Sequence, residues 1–312
     1  MDGNKSICVN RLVKTYGATR VLDEISFEVD KGELFGLIGP DGAGKTSIFR
    51  ILTTLLLADS GTASVDGFDV VGEFQQIRNR VGYMPGRFSL YQDLTITENL
   101  EFFATVFGTT VRENYDMIKD IYEQIEPFRH RRAGQLSGGM KQKLALCCAL
   151  IHRPEVLFLD EPTTGVDVVS RKEFWDILYR LREQHMTIMV STPYMDEAKL
   201  CDRIALIQKG RIMQVDEPGK ITASFPKKLF AVTASHQQQL LRALKADREV
   251  ESCHAFGEAG HVTLWDPDSD LRQMTAIVER YGIPDVEVKH VQPGIEDSFI
   301  RLMDEETNGS LK

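Results

Sequence analysis

The chain has 312 residues, 42% of them hydrophobic and 27% charged, which is typical of a globular protein with about two domains. No apolar run approaches the length of roughly 18 residues that crosses a bilayer, and the N-terminus lacks the apolar core of a signal peptide, so we expect a cytoplasmic protein. The net charge of −9 disfavours a general nucleic-acid binder, and the odd number of scattered cysteines disfavours a metal or disulfide framework.

The start of the chain predicts strands on both sides of a turn. Strands are expected at Ile7–Val13, Val21–Val29 and Leu34–Ile38, and the turn at Tyr16-Gly17 carries an exposed aromatic ring. The last of these strands leads into a glycine-rich loop, after which apolar residues at helical spacing predict an amphipathic helix. The apolar positions of that helix are Ile48, Ile51, Leu52 and Leu55.

The loop, residues 39–47, reads Gly-Pro-Asp-Gly-Ala-Gly-Lys-Thr-Ser and matches the phosphate-cradling pattern G-x-x-x-x-G-K-[ST]. Its glycines allow a tight turn with inward amides, and the following helix adds its N-terminal dipole. Lys45 can reach the β- and γ-phosphates of a nucleoside triphosphate, and the Thr46 hydroxyl can ligate Mg²⁺. The alternative, a glycine-rich turn with a chance lysine, is disfavoured by the flanking strand and helix. The candidate nucleotide-binding residues are Gly39, Asp41, Gly42, Ala43, Gly44, Lys45, Thr46 and Ser47.

The next segment predicts a hairpin followed by a helical region. A short hairpin-like element is expected at Gly61–Gly67, a helix at Phe74–Arg80 and a strand at Val81–Met84. From Thr97 to about Gln135 the pattern is helical, with Thr97 as the first capping residue and an amphipathic segment at Tyr115–Ile125.

A second pair of signals predicts a helix start and a carboxylate-bearing strand end. Ser137-Gly138-Gly139 opens the apolar segment Leu144–Ile151, and the buried strand Val156–Leu159 ends in Asp160-Glu161. In phosphate-loop hydrolases a carboxylate at this point holds Mg²⁺, which we expect of Asp160, while Glu161 is positioned to polarise the attacking water. The alternative is that the two acids only cap the end of the strand.

The remainder of the first domain predicts alternating helices and strands. An amphipathic helix has Phe174, Ile177, Leu178 and Leu181 on one face. It is followed by a strand at Thr187–Val190, a helix near Met195–Leu200, and strands at Ile204–Ile207 and Ile212–Val215. This alternation predicts a layered α/β core.

A domain boundary is expected near Glu217–Pro226, where proline and glycine interrupt the pattern. The segments beyond it follow the order β-α-β-β-α-β, which predicts a small α+β ferredoxin-like domain. They are Leu229–Thr233, Gln237–Leu244, Val250–Phe256, His261–Trp265, Leu271–Tyr281 and Val286–Val288. A last helix is expected at Ile295–Met303. The predicted domains are therefore residues 1–220 and an accessory or regulatory domain at 227–312.

Three further stretches resemble the ATP-binding cassette (ABC) family. Leu136-Ser137-Gly138-Gly139-Met140 is similar to the family's signature motif, and Pro162–Asp167 looks like the segment that ends in the D-loop aspartate. Tyr16 stands where the family has its adenine-stacking aromatic. The resemblance covers residues of about 5–220, and the tail at Pro293–Ile300 resembles the C-terminal extension of ABC-2-type export ATPases.

The resemblance implies a fold and an activity. The fold is a P-loop NTPase nucleotide-binding domain of the ABC type, with a mixed sheet core and a helical subdomain at about 86–152. The activity is hydrolysis of ATP with Mg²⁺, coupled to export through separately encoded transmembrane permease subunits of an ABC-2-type exporter at the inner face of the membrane. Ser137, Gly138 and Gly139 would face the ATP bound by a second copy of the chain or by a paralogous ATPase, with Asp167 at the dimer contact.

Two positions depart from the family's pattern. Gly86 stands where the family has a glutamine that contacts the metal and water, and Pro193 stands where it has a histidine that orients the catalytic glutamate. Proline offers neither a side-chain donor nor an N–H. We therefore expect ATP binding to be retained and hydrolysis by Glu161 to persist at a reduced rate. Coupling past Gly86 would use backbone or neighbouring groups, with Arg87, Phe88 and Tyr91 as candidates.

Two other functional classes and one unassigned surface stay open at this stage. Gly86 and Pro193 motivate a degenerate module that uses ATP only for dimerisation. A soluble ABC ATPase acting on ribosomes or DNA is disfavoured by the single cassette and the acidic composition. A docking groove for membrane helices is one interpretation of the apolar residues Phe88, Leu90, Tyr91, Phe102 and Phe103. For most of them the favoured interpretation is that they are ordinary core residues.

Overall fold

The computed structural model describes residues 4–86 and 90–309, with side chains described as far as residue 305. The chain divides into two compact units between Pro218 and Gly219. Within the described ranges, no helix combines the length and the apolar character needed to cross a membrane.

The first unit contains both strands and helices along its whole length. Its first half contains β1 (Lys5–Tyr16), β2 (Thr19–Asp30), β3 (Leu34–Ile38), α1 (Lys45–Leu52), β4 (Ser60–Val65), β5 (Phe68–Asp69), α2 (Phe74–Arg78) and β6 (Val81–Met84). Its second half contains α3 (Ile96–Val106), α4 (Tyr115–Tyr122), α5 (Gly138–Leu150), β7 (Val156–Asp160), α6 (Val168–Glu183), β8 (Thr187–Thr192), β9 (Arg203–Gln208) and β10 (Arg211–Asp216). The predicted strands are thus all present, most of them one to three residues longer than expected.

Two sheets form the core of this unit. One is antiparallel, in the order β2-β1-β4-β5, and the other follows the order β10-β9-β3-β8-β7-β6, with β10 antiparallel to β9 and the other pairs parallel. Every residue of β3, β7 and β8 is buried. Such continuous burial is typical of parallel strands that are covered on both faces. The mixed-sheet core predicted from the sequence is confirmed.

A helical segment lies between β6 and β7 and contains α3, α4 and α5. Its first helix begins two residues earlier than predicted. Thr95, not Thr97, is the cap: its side chain accepts a hydrogen bond from the Glu98 N–H, and Glu98 bonds back to the Thr95 N–H. This reciprocal pair is a capping box. Thr97 lies inside the first turn of the helix, so the expectation that it caps α3 is wrong.

Three other sequence expectations are wrong in detail. Leu55 lies beyond α1 and is 60% exposed, because the helix ends at Leu52. The helix expected near Met195–Leu200 is only a 3₁₀ turn at Glu197–Leu200. The segment at the expected boundary, for which no helix was predicted, begins with the short helix Pro218–Ala223.

The helix α7 (Pro218–Ala223) was not predicted, and the elements after it follow the predicted order. These are β11 (Leu229–Thr233), α8 (Gln237–Lys245), β12 (Val250–Phe256), β13 (Ala259–Leu264), α9 (Leu271–Glu279), β14 (Glu287–Val291) and α10 (Ile295–Gly309). The four strands form an antiparallel sheet in the order β12-β13-β11-β14. Its core includes Leu240 and Leu244 from α8 and Met274 and Ile277 from α9. The β-α-β-β-α-β arrangement of a ferredoxin-like unit is confirmed.

Candidate functional site

The candidate site lies where three parallel strands end. In the sheet, β8 is hydrogen-bonded to both β3 and β7, so the carboxyl ends of these strands meet at one edge. Ile38 is paired with Thr192, and Asp160 is paired with Ser191. The glycine-rich loop leaves from β3 and the acidic pair leaves from β7. The topology therefore brings the two predicted motifs to the same edge, as in other open α/β sheets.

The glycine-rich loop depends on its glycines in two different ways. Gly42 and Gly44 have φ angles of 78° and 107°, in the region that side-chain-bearing residues avoid. Gly39 has no such angle, but an added Cβ would stand 2.2 Å from the Ile207 carbonyl oxygen. The neighbouring strand end therefore leaves room only for glycine at this position. The Gly39 N–H donates to the Thr192 carbonyl at 3.3 Å, which ties the loop to β8.

Because Gly39 lies so close to Ile207, alanine should destabilise the protein more at Gly39 than at Gly42. Gly39→Ala is expected to destabilise the protein by about 2 kcal/mol, as overpacking of a tight site does. In Gly42→Ala the added Cβ has no atom within 4 Å. Only the left-handed backbone then lowers the free energy of unfolding, by about 1 kcal/mol. Denaturant unfolding of both variants measures the difference. Equal stability of Gly39→Ala and wild type would contradict the close approach to Ile207.

Lys45 is the central cation of the site. It begins α1, its side chain is only 3% exposed, and its Nζ donates to the Gly39 and Pro40 carbonyl oxygens at 2.8 and 3.1 Å. The same Nζ lies 3.1 Å from Glu161 Oε1. A largely buried ammonium group held by the loop and facing an acid can exchange these partners for phosphate oxygens. Its position at a helix start adds the favourable dipole for an anion.

The oxygen ligands available here fit Mg²⁺. Thr46 is exposed in the first turn of α1, and Asp160 is 2% exposed at the end of β7. Within the described residues no group of three or more His, Cys, Asp or Glu could hold a metal alone. Mg²⁺ characteristically uses one or two protein oxygens together with substrate phosphates, so a hydroxyl and one carboxylate suffice. Burial raises the pKa of the neighbouring Tyr83 to about 12, and the charge of Asp160 acts in the same direction.

The predicted helix start at Ser137 is present and packs against the next helix start. The Ser137 side chain caps α5 by accepting a hydrogen bond from the Met140 N–H at 3.3 Å. A Cβ on Gly139 would stand 2.6 Å from Ser170 Oγ, so this glycine allows α5 and α6 to approach. Asp167 caps α6, and the hydrogen bond from the Ser170 N–H lowers the pKa of its carboxyl group. Ser137 and Gly138 are exposed.

Of the two departures, Gly86 lies beside the acidic pair and Pro193 lies in the loop after β8. A Cβ on Gly86 would stand 2.9 Å from the Asp160 carbonyl oxygen and 3.8 Å from Glu161 Cβ, so the backbone at 86 passes too close for a side chain without a shift. Pro193 follows the last residue of β8 and is half-buried. Beyond it, the Tyr194 N–H donates to Thr192 Oγ1 at 3.1 Å. The Thr192 hydroxyl therefore contributes to the order of the loop after β8.

The remaining predicted residues of the first unit differ in their exposure. Tyr16 ends β1 and is 45% exposed. Leu90 is buried, whereas Tyr91 and Phe102 are partly exposed and their rings meet edge to face at 4.6 Å, with Phe103 beside them. Arg87 and Phe88, named above as coupling or docking residues, lie outside the described residues.

Comparison with known proteins identifies the family. The ABC transporter family pattern matches residues 22–164. The Nod factor export ATP-binding protein I of Ralstonia nicotianae is 33% identical over 300 residues, which cover 95% of this chain and 93% of the relative. The daunorubicin resistance ATP-binding protein DrrA2 of Streptomyces coeruleorubidus is 32% identical over 319 residues, which cover 99% and 98%. The chain belongs to the ABC transporter family.

Further comparisons bear on length and fold. The probable multidrug ABC transporter ATP-binding protein YbhF of Escherichia coli is 38% identical over 284 residues, but these cover only 48% of it, so the chain spans about half the length of that relative. A solved ATP-binding subunit of an ABC transporter superposes with a TM-score of 0.64 and 26% identity over 70% of this chain and 92% of that one. The predicted P-loop ABC fold is confirmed by this membership.

One residue of this ABC site was not expected from the sequence. Ser191 is fully buried, and its hydroxyl donates to Asp160 Oδ1 at 2.6 Å. The Glu161 N–H in turn donates to Ser191 Oγ at 3.0 Å. A sequence signal existed, since Ser191 and Thr192 are polar residues that directly follow the apolar run Ile188–Val190 of a buried strand. The sequence did not indicate that the two acids are their neighbours.

Proposed function

We propose that this ABC protein is the ATP-hydrolysing subunit of an exporter. It pairs around Mg-ATP and drives transport through separately encoded ABC-2-type membrane subunits. The single observation that carries the proposal is the convergence of Lys45, Asp160 and Glu161 at one sheet edge, with Lys45 Nζ 3.1 Å from Glu161 Oε1. A phosphate-binding cation, a metal-binding carboxylate and a second acid are the groups that phosphoryl transfer to water requires.

Each group has a proposed part in the reaction. The inward amides of the loop and the Lys45 ammonium bind the β- and γ-phosphates. Thr46 and Asp160 would hold Mg²⁺, which supplies charge neutralisation on the phosphates. Glu161 accepts a proton from the attacking water while the water oxygen bonds to the γ-phosphorus. The bond between the γ-phosphorus and the bridging oxygen breaks, and ADP and phosphate leave.

Pairing of two chains is supported by the exposed surface around α5 and α6. Ser137 and Gly138 are exposed at the start of α5, and a helix start is a binding site for an anion such as a γ-phosphate. Beside them, Val168 and Val169 are 80% and 68% exposed at the start of α6, next to Asp167. Apolar side chains exposed side by side in this way favour an interface. The partner is a second copy or a paralogous ATPase.

The export assignment draws on what the relatives are named for: Nod factor export, daunorubicin resistance and multidrug transport. The partly exposed rings of Tyr91 and Phe102 are the proposed contact for membrane subunits, which would hold the chain at the inner face of the membrane. A degenerate module that binds ATP only to dimerise is the second candidate, because neither Gly86 nor Pro193 offers a side-chain donor near Glu161.

One experiment separates the two candidates. ATPase activity and light-scattering mass are measured for the purified chain with and without Mg-ATP, alone and with membrane subunits encoded nearby. The Ser137→Arg variant, which adds bulk at the exposed start of α5, serves as the interface control. If the chain is an exporter ATPase, it should dimerise in the presence of ATP, and Ser137→Arg should not dimerise. Its ATPase activity should rise when the membrane subunits are added. Dimers without turnover favour the degenerate module, and a monomer under all conditions contradicts both.

A further inference from the structure

The topology gives Ser191 a place that no other polar side chain of β8 has. The strand β8 lies between β3, which carries the phosphate loop, and β7, which carries the acids. Ser191 is the register partner of Asp160, and the next residue, Thr192, is the partner of Ile38 directly before the loop. Ser191 is 0% exposed and Asp160 is 2% exposed, so the contact between them is shielded from water.

The chemistry of the groups fixes the direction of each hydrogen bond. An ionised carboxylate only accepts, and a backbone N–H only donates. The Ser191 hydroxyl therefore donates to Asp160 Oδ1 at 2.6 Å and accepts from the Glu161 N–H at 3.0 Å. The same hydroxyl group therefore donates to the side chain of Asp160 and accepts from the backbone of Glu161. Bonds of this kind to a charged acceptor are short and strong.

Glu161 needs such support because of its backbone. Its φ angle is 52°, in the left-handed region that residues with a side chain rarely adopt. A backbone of this kind persists when the surrounding contacts hold it in place. The Glu161 N–H is held by two acceptors of the same residue, Ser191 Oγ at 3.0 Å and the Ser191 carbonyl oxygen at 3.1 Å. This backbone directs the Glu161 carboxylate towards Lys45.

We infer that Ser191 is a positioning residue that sets the Asp160 carboxylate for Mg²⁺ and holds the backbone of Glu161 for water activation. This role rests on the proposed function. It also bears on the departure at Pro193. The proline side chain has no hydrogen-bonding group, whereas Ser191, two residues earlier, bonds to the Glu161 N–H. Hydrogen-bond partners of a metal-binding carboxylate typically change metal affinity or activity by about 10- to 100-fold when removed.

The test compares Ser191→Ala, Ser191→Cys and Ser191→Thr with wild type. The control is Thr187→Val, which removes another buried hydroxyl of β8 whose bond, from the Gly32 N–H at 3.0 Å, is at the opposite end of the strand. The first readout needs no turnover: affinity for the slowly hydrolysed analogue ATPγS with Mg²⁺ divided by its affinity in EDTA. The second is the Mg²⁺ concentration for half-maximal ATPase activity, and thermal melting checks folding.

For Ser191→Ala we expect the Mg²⁺-dependent gain in ATPγS affinity to fall about tenfold and the half-maximal Mg²⁺ concentration to rise by a similar factor, while affinity in EDTA stays near wild type. Ser191→Thr keeps the hydroxyl, so both the Mg²⁺-dependent gain and the half-maximal Mg²⁺ concentration should equal those of wild type. Ser191→Cys has a weaker donor of similar size, so both quantities should lie between those of wild type and Ser191→Ala. The cysteine variant also keeps the test available if Ser191→Ala fails to fold. Thr187→Val lowers the melting temperature only. Wild-type Mg²⁺ behaviour in folded Ser191→Ala or Ser191→Cys would overturn the role of Ser191 alone. Absence of Mg-dependent turnover in wild type would refute the proposed function and this role with it.

Discussion

Lys45→Ala is expected to remove most ATP binding. The lysine is the cation between two loop carbonyls and Glu161, all within 3.1 Å of its Nζ. A hydrogen bond to a charged group contributes roughly 1.5–3 kcal/mol, and about 1.4 kcal/mol corresponds to a tenfold change in affinity. The lost contact alone therefore weakens binding between about tenfold and a hundredfold. The Glu161 carboxylate, left without its cation, adds repulsion against the phosphates.

This second contribution can be measured separately. We expect Lys45→Ala to cost less ATP affinity in the Glu161→Gln background, because the neutral amide no longer repels the phosphates. Titration calorimetry of the two single variants and the double variant gives the coupling. Lys119→Ala removes an exposed lysine of α4 and should leave affinity unchanged. Wild-type ATP affinity in folded Lys45→Ala would exclude the loop as the phosphate site.

Elements with a strong local pattern could be predicted from the sequence. The apolar runs of β3 and β7 are buried on both faces, and the bounds of β6, β11 and β12 agree with the prediction because turn residues flank them. The glycine-rich loop was also predictable as a turn, since its pattern is contiguous in sequence and Gly42 and Gly44 are needed for their own backbone angles. Local physics is sufficient for such features.

Features set by tertiary contacts could not be predicted. Two threonines near the start of α3 can each cap a helix, and the chain selects Thr95 because its extended backbone pairs with Arg132. After α1 the apolar spacing continues to Leu55, but Thr54 adopts a φ of 62° and its hydroxyl accepts a hydrogen bond from Arg78 of α2. The helix ends before the sequence pattern does, because the neighbouring helix determines the path of the chain.

For the candidate site, the sequence indicated individual residues but not their contacts with one another. Sequence motifs identify Lys45, Asp160 and Glu161 as candidates one by one. That Ser191 touches both acids depends on the register between β7 and β8, and no single-strand pattern contains that register. In the same way, Gly86 reads only as a missing glutamine in the sequence, whereas in the structure its backbone lies where a Cβ would meet the Asp160 carbonyl oxygen.

Glu161→Gln is expected to reduce turnover by about a hundredfold or more while ATP binding is retained. General-base contributions are typically about 10²- to 10⁴-fold, and an amide cannot take the proton of the attacking water. The substitution keeps the size of the side chain, and the left-handed backbone at 161 is equally open to glutamine. Lys45 loses its ion pair with Glu161 and becomes freer to bind phosphate, so ATP affinity should stay equal or rise.

Steady-state and single-turnover ATPase measurements, together with ATP affinity, test this expectation. Glu173→Gln is the matched control, because Glu173 pairs with Lys143 at 2.7 Å on the exposed side of α6 and touches neither acid of the site. Its kcat should equal that of wild type. If Glu161→Gln hydrolyses ATP at the wild-type rate, the proton acceptor is a different group. If it loses ATP binding as well, the Lys45–Glu161 pair would act in assembling the phosphate site and not in the chemical step.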